Sequence, residues 1–244
     1  MRYPKILIGL AAAGLLAAGC GSDGGSSGAG DRPADAGDRS VDAGDRPAGS
    51  GDGRKALPVA VDGPQEDVVD SSGDAKLKVT PAPENGAPFT QKVEHQLRET
   101  VLRGVMVPGE TSAECADGVT QKAGAVSQCV VTYEGAEIPY EVKISDKYTE
   151  GSMFTFYDTT PKKGLLVAKS VYNTLHERYS AEAGYTGSSK LACEEIPVAK
   201  TVDLNSDTGY TCQYWTETAN DGEGGYTTLR VMMGVRGPGF EQAG

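Results

Sequence analysis

The same pattern of apolar residues and cysteine is written twice in this chain, 78 positions apart, and it limits what the 244 residues can fold into. Val93, Leu97 and Val101 are spaced four apart, and so are Val171, Leu175 and Tyr179. That spacing places side chains on one stripe of a helix. Val93 stands 22 residues before Cys115, and Val171 stands 22 residues before Cys193. Glu99 falls on Glu177 at the same offset. Cys129 follows Cys115 by 14 residues, whereas Cys212 follows Cys193 by 19, so the second loop is the longer.

Each second cysteine opens a strand pattern. Copy one reads Cys129-Val130-Val131-Thr132-Tyr133, a Glu134-Gly135 turn, and Ile138 to Ile144, where Tyr140, Val142 and Ile144 alternate with Glu141 and Lys143. Alternation of period two marks a half-buried strand. Copy two reads Cys212-Gln213-Tyr214-Trp215-Thr216, a longer turn over Asn220 to Gly225, and Tyr226 to Met233. A connecting strand is expected near Val105 and near Tyr185, and Phe154 with Phe156 suggests a further one in copy one. Thr90 is placed to cap the first helix, and Thr160-Pro161 to start the second, where the missing proline N–H costs nothing.

Four cysteines in an exported chain imply disulfides, and three connectivities are possible. The repeat favours Cys115–Cys129 with Cys193–Cys212, because each copy then carries its own bond. Loops of this size give about 3 kcal/mol each in the chain-entropy model, which a domain of roughly 75 residues needs. Metal binding is the alternative, but neither pair has CxxC spacing, and His95 and His176 are not equivalent in the repeat.

Export itself is read from the first twenty residues. Arg2 and Lys5 precede the apolar run Ile6 to Ala18, which is too short to cross a bilayer core needing roughly 20 apolar residues. It has the length of a signal-peptide h-region. The run ends Leu15-Leu16-Ala17-Ala18-Gly19-Cys20. This resembles the lipobox of bacterial lipoproteins, with Ala17 where Leu is commonest. The resemblance implies cleavage before Cys20, a thioether-linked diacylglycerol on Cys20, and anchoring on the outer face of a cell membrane. Two acyl chains give stable anchoring where one does not.

Only Tyr3 among the aromatic residues precedes Phe89. A stretch so poor in large apolar side chains cannot offset its chain entropy, so 20–88 is expected to be a lipidated, disordered linker. Within it Ala29-Gly30-Asp31-Arg32 recurs as Ala36-Gly37-Asp38-Arg39 and as Ala43-Gly44-Asp45-Arg46. The period of seven carries no apolar seam, so it is not a coiled coil. A glycine-rich coil of this length reaches roughly 40–50 Å. The net charge of −11 leaves no basic footprint for nucleic acid.

The expected fold class is α+β: two tandem small domains, each a helix packed on an antiparallel β-sheet with one disulfide, after a long disordered tether. The expected boundaries are 1–19 for the signal peptide, 20–88 for the linker, 89–159 and 160–236 for the two domains, and 237–244 for a disordered tail. The succession of helix, strand, cysteine, variable loop, Gly124-Ala125-Val126-Ser127-Gln128-Cys129-Val130-Val131-Thr132, Gly135 and an alternating strand resembles a small two-cysteine domain of unknown function. That domain occurs in cell-envelope lipoproteins of high-GC Gram-positive bacteria. The resemblance covers about Lys92 to Ser145 well and Lys169 to Gly234 more loosely. It implies an envelope lipoprotein and no chemistry. The tandem helix-on-sheet arrangement is also similar in architecture to β-lactamase inhibitory proteins, although fold does not imply function.

Chemistry is otherwise sparse. Gly24-Gly25-Ser26-Ser27-Gly28 satisfies a hydrolase pattern, but in the linker it lacks the strand and helix that a nucleophile elbow needs. His95 and His176 lie on helices beside charged residues, which reads as a solvated position. Asp203 to Gly209 alternates oxygen ligands as a calcium loop does, but its glycine is one place late and Tyr214 stands where Glu is required. Turn chemistry accounts for it as well. Tyr210, Tyr214, Trp215 and Tyr226 are either a recognition face or the core of copy two, with core favoured. No catalytic residue, metal or cofactor is expected. The expected function is a non-enzymatic binding module whose partner is cell-wall material or an envelope or extracellular protein. The alternative is an inhibitor of an extracellular enzyme; less favoured are an enzyme of unfamiliar type and a spacer.

Overall fold

The first helix forms where the sequence stripe predicts. The computed structural model describes residues 55–185 and 187–243, and α1 spans Phe89–Val105. Val93, Leu97, Val101 and Leu102 are buried along one side of it. Pro88, not Thr90, occupies the N-cap, and no side chain caps the helix. The Thr90 hydroxyl instead accepts the Val119 N–H at 2.9 Å, tying the helix start to the loop between Cys115 and Cys129. The helix stops at Met106, which takes the left-handed conformation and donates its N–H to the Leu102 carbonyl. Residue 105 is thus helix rather than strand.

Two residues precede α1 as a strand, β1 (Val59–Ala60). After α1 come β2 (Thr111–Glu114), β3 (Val126–Tyr133), β4 (Ala136–Ile144) and β5 (Tyr157–Pro161), an antiparallel meander in the order β2-β3-β4-β5. The period-two pattern is realised: Ser127, Cys129, Val131 and Tyr133 are buried on β3, and Ile138, Tyr140, Val142 and Ile144 on β4. Cys129, Val131, Tyr133, Ile138, Tyr140 and Val142 share one cluster with Val93, Leu97, Val101 and Leu102 of α1. Burial pushes the phenols of Tyr133 and Tyr140 up to about 12, and the Tyr133 hydroxyl donates to the Val107 carbonyl at 3.3 Å. Gly109 lets the chain pass this ring, because a Cβ there would lie 2.7 Å from it.

Then come β6 (Gly164–Val167) and α2 (Ala168–Tyr179), with Val167 as the N-cap of the helix. Thr160-Pro161 therefore ends a strand instead of starting a helix. Pro161 is paired opposite Tyr140 at the sheet edge, where a missing N–H is tolerated. The rest of the chain is β7 (Ser188–Cys193), β8 (Ala199–Val202), β9 (Ser206–Thr216), β10 (Gly225–Gly234) and β11 (Gly237–Gln242). A five-stranded antiparallel sheet has the order β1-β7-β9-β10-β11, and β6 pairs with β8 in a separate ladder. Val171, Tyr172 and Leu175 of α2 join Leu229, Val231 and Met233 of β10 in a second buried cluster.

Both disulfides join neighbouring antiparallel strands or their ends: Cys115–Cys129 at β2 and β3, Cys193–Cys212 on β7 and β9. The described residues all belong to one compact unit, Gly49–Gly244. Within it Ser170 of α2 donates to the Val105 carbonyl at the end of α1 (2.6 Å), Thr201 of β8 donates to the Glu137 carbonyl of β4 (2.6 Å), and Val167 enters the cluster beneath α1.

Two expected boundaries move. Residues 55–88, assigned to the linker by composition, pack on the fold from 55 onward: Val61, Val69, Leu77 and Val79 are buried. Val69, Leu77 and Val79 join the cluster of α1 and the first sheet, and Val61 joins that of α2, so branched aliphatic side chains suffice without an aromatic residue. Residues 237–242, assigned to a disordered tail, form β11, with Phe240 opposite Val231. Residues 1–54, with the signal peptide, Cys20 and the Asp-Arg repeat, lie outside the described residues. Among the described residues no helix is long and apolar enough to cross a membrane.

Candidate functional site

The loop between β4 and β5 carries the largest exposed apolar side chains. It closes where Ser145 donates its N–H to the Phe156 carbonyl (2.9 Å), and it is shaped by Tyr148 N–H to Ser145 and Ser152 N–H to Thr149. Gly151, at φ +81°, supplies the left-handed residue of the turn. Gln121 Nε2 donates to Thr155 Oγ1 at 3.1 Å, linking the loop to the Cys115–Cys129 segment. So held, the loop exposes Met153 (88%), Phe154 (69%) and Phe156 (73%). Sequence alternation placed Phe154 and Phe156 in a strand. The strand begins one residue later, at Tyr157, which turns inward and meets Phe89 edge-on at 5.7 Å. Val126 and Val130 are also exposed, on the face of β3 away from the core.

Of the aromatic residues expected as either core or recognition face, Tyr214 is buried and Tyr210, Trp215 and Tyr226 are half-buried. Tyr214 is core: its ring stacks on Tyr179 at 5.2 Å and meets Tyr185 at 5.5 Å. Burial pushes its phenol up, and the hydrogen bond with Tyr185 adds to this. Trp215, one residue on, points to the opposite face. It is cross-strand from Tyr226, with rings 5.0 Å apart and edge-on. The register of β7 shifts between Ser189 and Ala192, and Lys190 takes a φ of +48°. This places its ammonium 4.6 Å from the Trp215 ring centre, a cation–π contact of about 0.5–1 kcal/mol at an exposed site. Tyr210 is half-buried beside Lys200. Gln213, on the Trp215 face, is buried and donates to the Lys55 carbonyl at 3.4 Å.

The titratable candidates have structural partners. His95 Nε2 is 3.0 Å from the Val79 carbonyl. His176 is buried rather than solvated, with Nε2 3.7 Å from a Glu182 carboxylate oxygen. Asp203 pairs with Lys163, and Asp207 accepts the Gly209 N–H at 2.8 Å. Among the described residues no group of three or more His, Cys, Asp or Glu is placed to hold a metal ion. The cysteines Cys115, Cys129, Cys193 and Cys212 are all in disulfides.

Glu99, which the sequence marked only through the repeat, is a buried carboxylate with several partners. It accepts the Val79 N–H (3.4 Å) and the Lys78 ammonium (3.3 Å), with Arg103 at 3.6 Å. Burial pushes its carboxyl up, but the Val79 N–H, Lys78 and His95 outweigh this and hold it below its ordinary 4.5. Glu99 and His95 thus grip both backbone groups of Val79 against α1. Beyond that grip lies a cleft of about 580 Å³. Lys76, Lys78 and Thr80 line one bank, Gly109 to Ser112 the other, and Arg98 and Leu102 lie between.

Comparison of the chain with protein-family models, with curated proteins and with solved structures finds no match.

Proposed function

We propose that this chain is an exported lipoprotein, lipidated on Cys20 and held on the extracytoplasmic face of a cell membrane, that presents a non-enzymatic binding module. The signal-like leader and Leu16-Ala17-Ala18-Gly19-Cys20 support the anchor. Two disulfides in the described residues suit an oxidising compartment. We read the module as two tandem copies of one unit. The correspondence of α1 with α2, and of β2, β3, β4, β5 with β7, β9, β10, β11, supports this. The five extra residues between the second pair of cysteines then accommodate β8.

The observation that carries the binding role is the exposure of Met153, Phe154 and Phe156 on one hydrogen-bonded loop. Fully burying such a side chain is worth about 1.5–3 kcal/mol, and clustered exposed apolar groups mark interaction sites. The partner expected is an envelope or extracellular protein or cell-wall material. The inhibitor reading places the same loop in an enzyme's cleft.

The test uses intact cells. A clickable palmitate analogue should label the chain and be lost in Cys20→Ala. A photo-crosslinking benzoylphenylalanine at position 154 should give a discrete adduct that the same group at Glu195 does not. An adduct containing an enzyme whose activity falls on binding selects the inhibitor reading. No adduct at 154 beyond that at 195 refutes the binding role.

A further inference from the structure

The two sheets differ at one edge. On the second, β1 covers β7: Val59 lies opposite Cys193 and Ala60 opposite Ala192. The Val61 N–H then donates to the Leu191 carbonyl at 2.8 Å, and the Val61 side chain is buried below. At the repeat offset of 78, Leu191 corresponds to Ala113 and Cys193 to Cys115. The strand carrying these, β2, is the end strand of its sheet, and no described backbone segment pairs with its outer side.

The ladder fixes which groups face outward. Glu134 donates its N–H to the Glu110 carbonyl, so Glu110 is in a hydrogen-bonded pair with β3. Antiparallel residues alternate. Ser112 and Glu114 therefore turn their backbone groups to β3, whereas Thr111 and Ala113 turn theirs outward. Cys115, next in the outward series, already has partners: its N–H donates to Glu94 at 2.9 Å and its carbonyl accepts from Gly118. The stretch that approaches this edge, Lys78 to Thr80, is held off it by His95 and Glu99, and the cleft of about 580 Å³ lies between.

We propose that this edge receives an extended, carboxylate-bearing segment of a partner polypeptide, which adds to β2 as a further strand. This rests on the binding-module reading and names the chemistry of one of its partners. Main-chain hydrogen bonds supply the affinity in such strand addition. The charge follows from Lys76, Lys78 and Arg98, which outnumber Glu110 and Glu134 on the same cleft of a chain with net charge −11; Lys78 is shared with Glu99, so Lys76 and Arg98 carry most of it. Among the described residues Arg98 donates from Nε to Thr111 Oγ1 (3.2 Å), and its side chain lines the cleft. A second copy suits the edge poorly, since pairing β2 with itself about Ser112 sets Glu110 against Glu114. The chain's own 21–54 stretch, rich in Gly and Asp, has a composition of low strand propensity.

The test selects a displayed library of random twelve-residue peptides on the chain beginning at residue 21. The expected winners alternate β-branched or apolar residues and carry Asp or Glu. Ala113→Pro removes one outward N–H without touching the β3 ladder, as edge positions allow. It should weaken a selected peptide about tenfold, the effect of about 1.4 kcal/mol. Lys76→Glu should weaken it about threefold. Methylating alternate peptide nitrogens should abolish binding to the unaltered chain, a result independent of how Ala113→Pro folds. No enrichment, or peptides indifferent to both Ala113→Pro and backbone methylation, overturns the proposal while leaving the crosslink at position 154 to decide the binding role. A dimer of the chain in sedimentation that Ala113→Pro dissociates overturns it in favour of a second copy.

Discussion

Leu77 decides whether the aromatic-free stretch before α1 belongs to the fold. It sits at the end of a short 3₁₀ turn, Ala75–Leu77, started by Asp74, whose carboxylate accepts the Lys76 N–H at 2.8 Å. Its side chain is fully buried in the cluster with Val93 and Leu97. Leu77→Ala removes three carbons from that cluster and leaves a cavity, a change that costs about 2–5 kcal/mol. A unit of this size loses about 2–4 °C of melting temperature per kcal/mol, so a mid-range cost of about 3 kcal/mol lowers the midpoint by about 6–12 °C. The assay is thermal and urea unfolding of the chain beginning at residue 21, disulfides intact. Val235→Ala, at an exposed position, is the control and should stay within about 0.5 kcal/mol. A Leu77→Ala midpoint no lower than that of Val235→Ala refutes the packing argument and returns 55–88 to the tether.

Other outcomes follow from the same geometry. Glu99→Gln should cost about 1–2 kcal/mol near neutral pH, the exposed Lys78 partner limiting the loss. Because the folded carboxyl lies below 4.5, this contribution is present above that pH and fades as pH falls through the lower folded value. Urea midpoints of the two proteins should therefore converge in acid; a gap that widens there contradicts the assignment. Replacing Cys193 and Cys212 together by Ala should cost about 3 kcal/mol, and likewise Cys115 with Cys129, read in urea under non-reducing conditions. Replacing Met153, Phe154 and Phe156 together by Ser should leave stability within about 0.5 kcal/mol while removing partner capture on cells; a large loss of stability would show that the loop packs internally.

The stripes at Val93, Leu97, Val101 and Val171, Leu175 were legible because one helical face meets one core. The pairing Cys115–Cys129 with Cys193–Cys212, which the recurring spacing favoured among three connectivities, is the one the structure holds. Val61, Val69, Leu77 and Val79 were not legible. Leu77 and Val79 alternate with Lys76, Lys78 and Thr80 as strand residues do, but so short a run in a stretch without aromatic residues was outweighed by the composition around it. β8 was hidden in the longer cysteine loop because its partner, β6, precedes α2. β11 was hidden by its Gly-Pro-Gly start, which reads as a tail until Phe240 meets Val231. Of the candidate sites, the apolar loop was visible as residues but not as a surface. The edge of β2 could not be read at all, because an unpaired strand edge has no sequence signature.

A tug from the N-terminal side enters the fold at a defined point. The chain reaches the sheet at Lys55 and Val59, so tension from this side passes through the Gln213 contact and the short β1–β7 ladder before it reaches α1. Once that ladder opens, the load passes along the chain to the segment that buries Val69, Leu77 and Val79 and then to α1, while β7 stays tied to β9 through Cys193–Cys212. The few hydrogen bonds in front should yield first and the cross-linked strands hold. Single-molecule stretching between residues 21 and 244 should show a small, low-force release before the main rupture; one undivided rupture would contradict this. Once released, β7 presents a bare edge like that of β2, so tension from the N-terminal side converts a closed sheet margin into an open one.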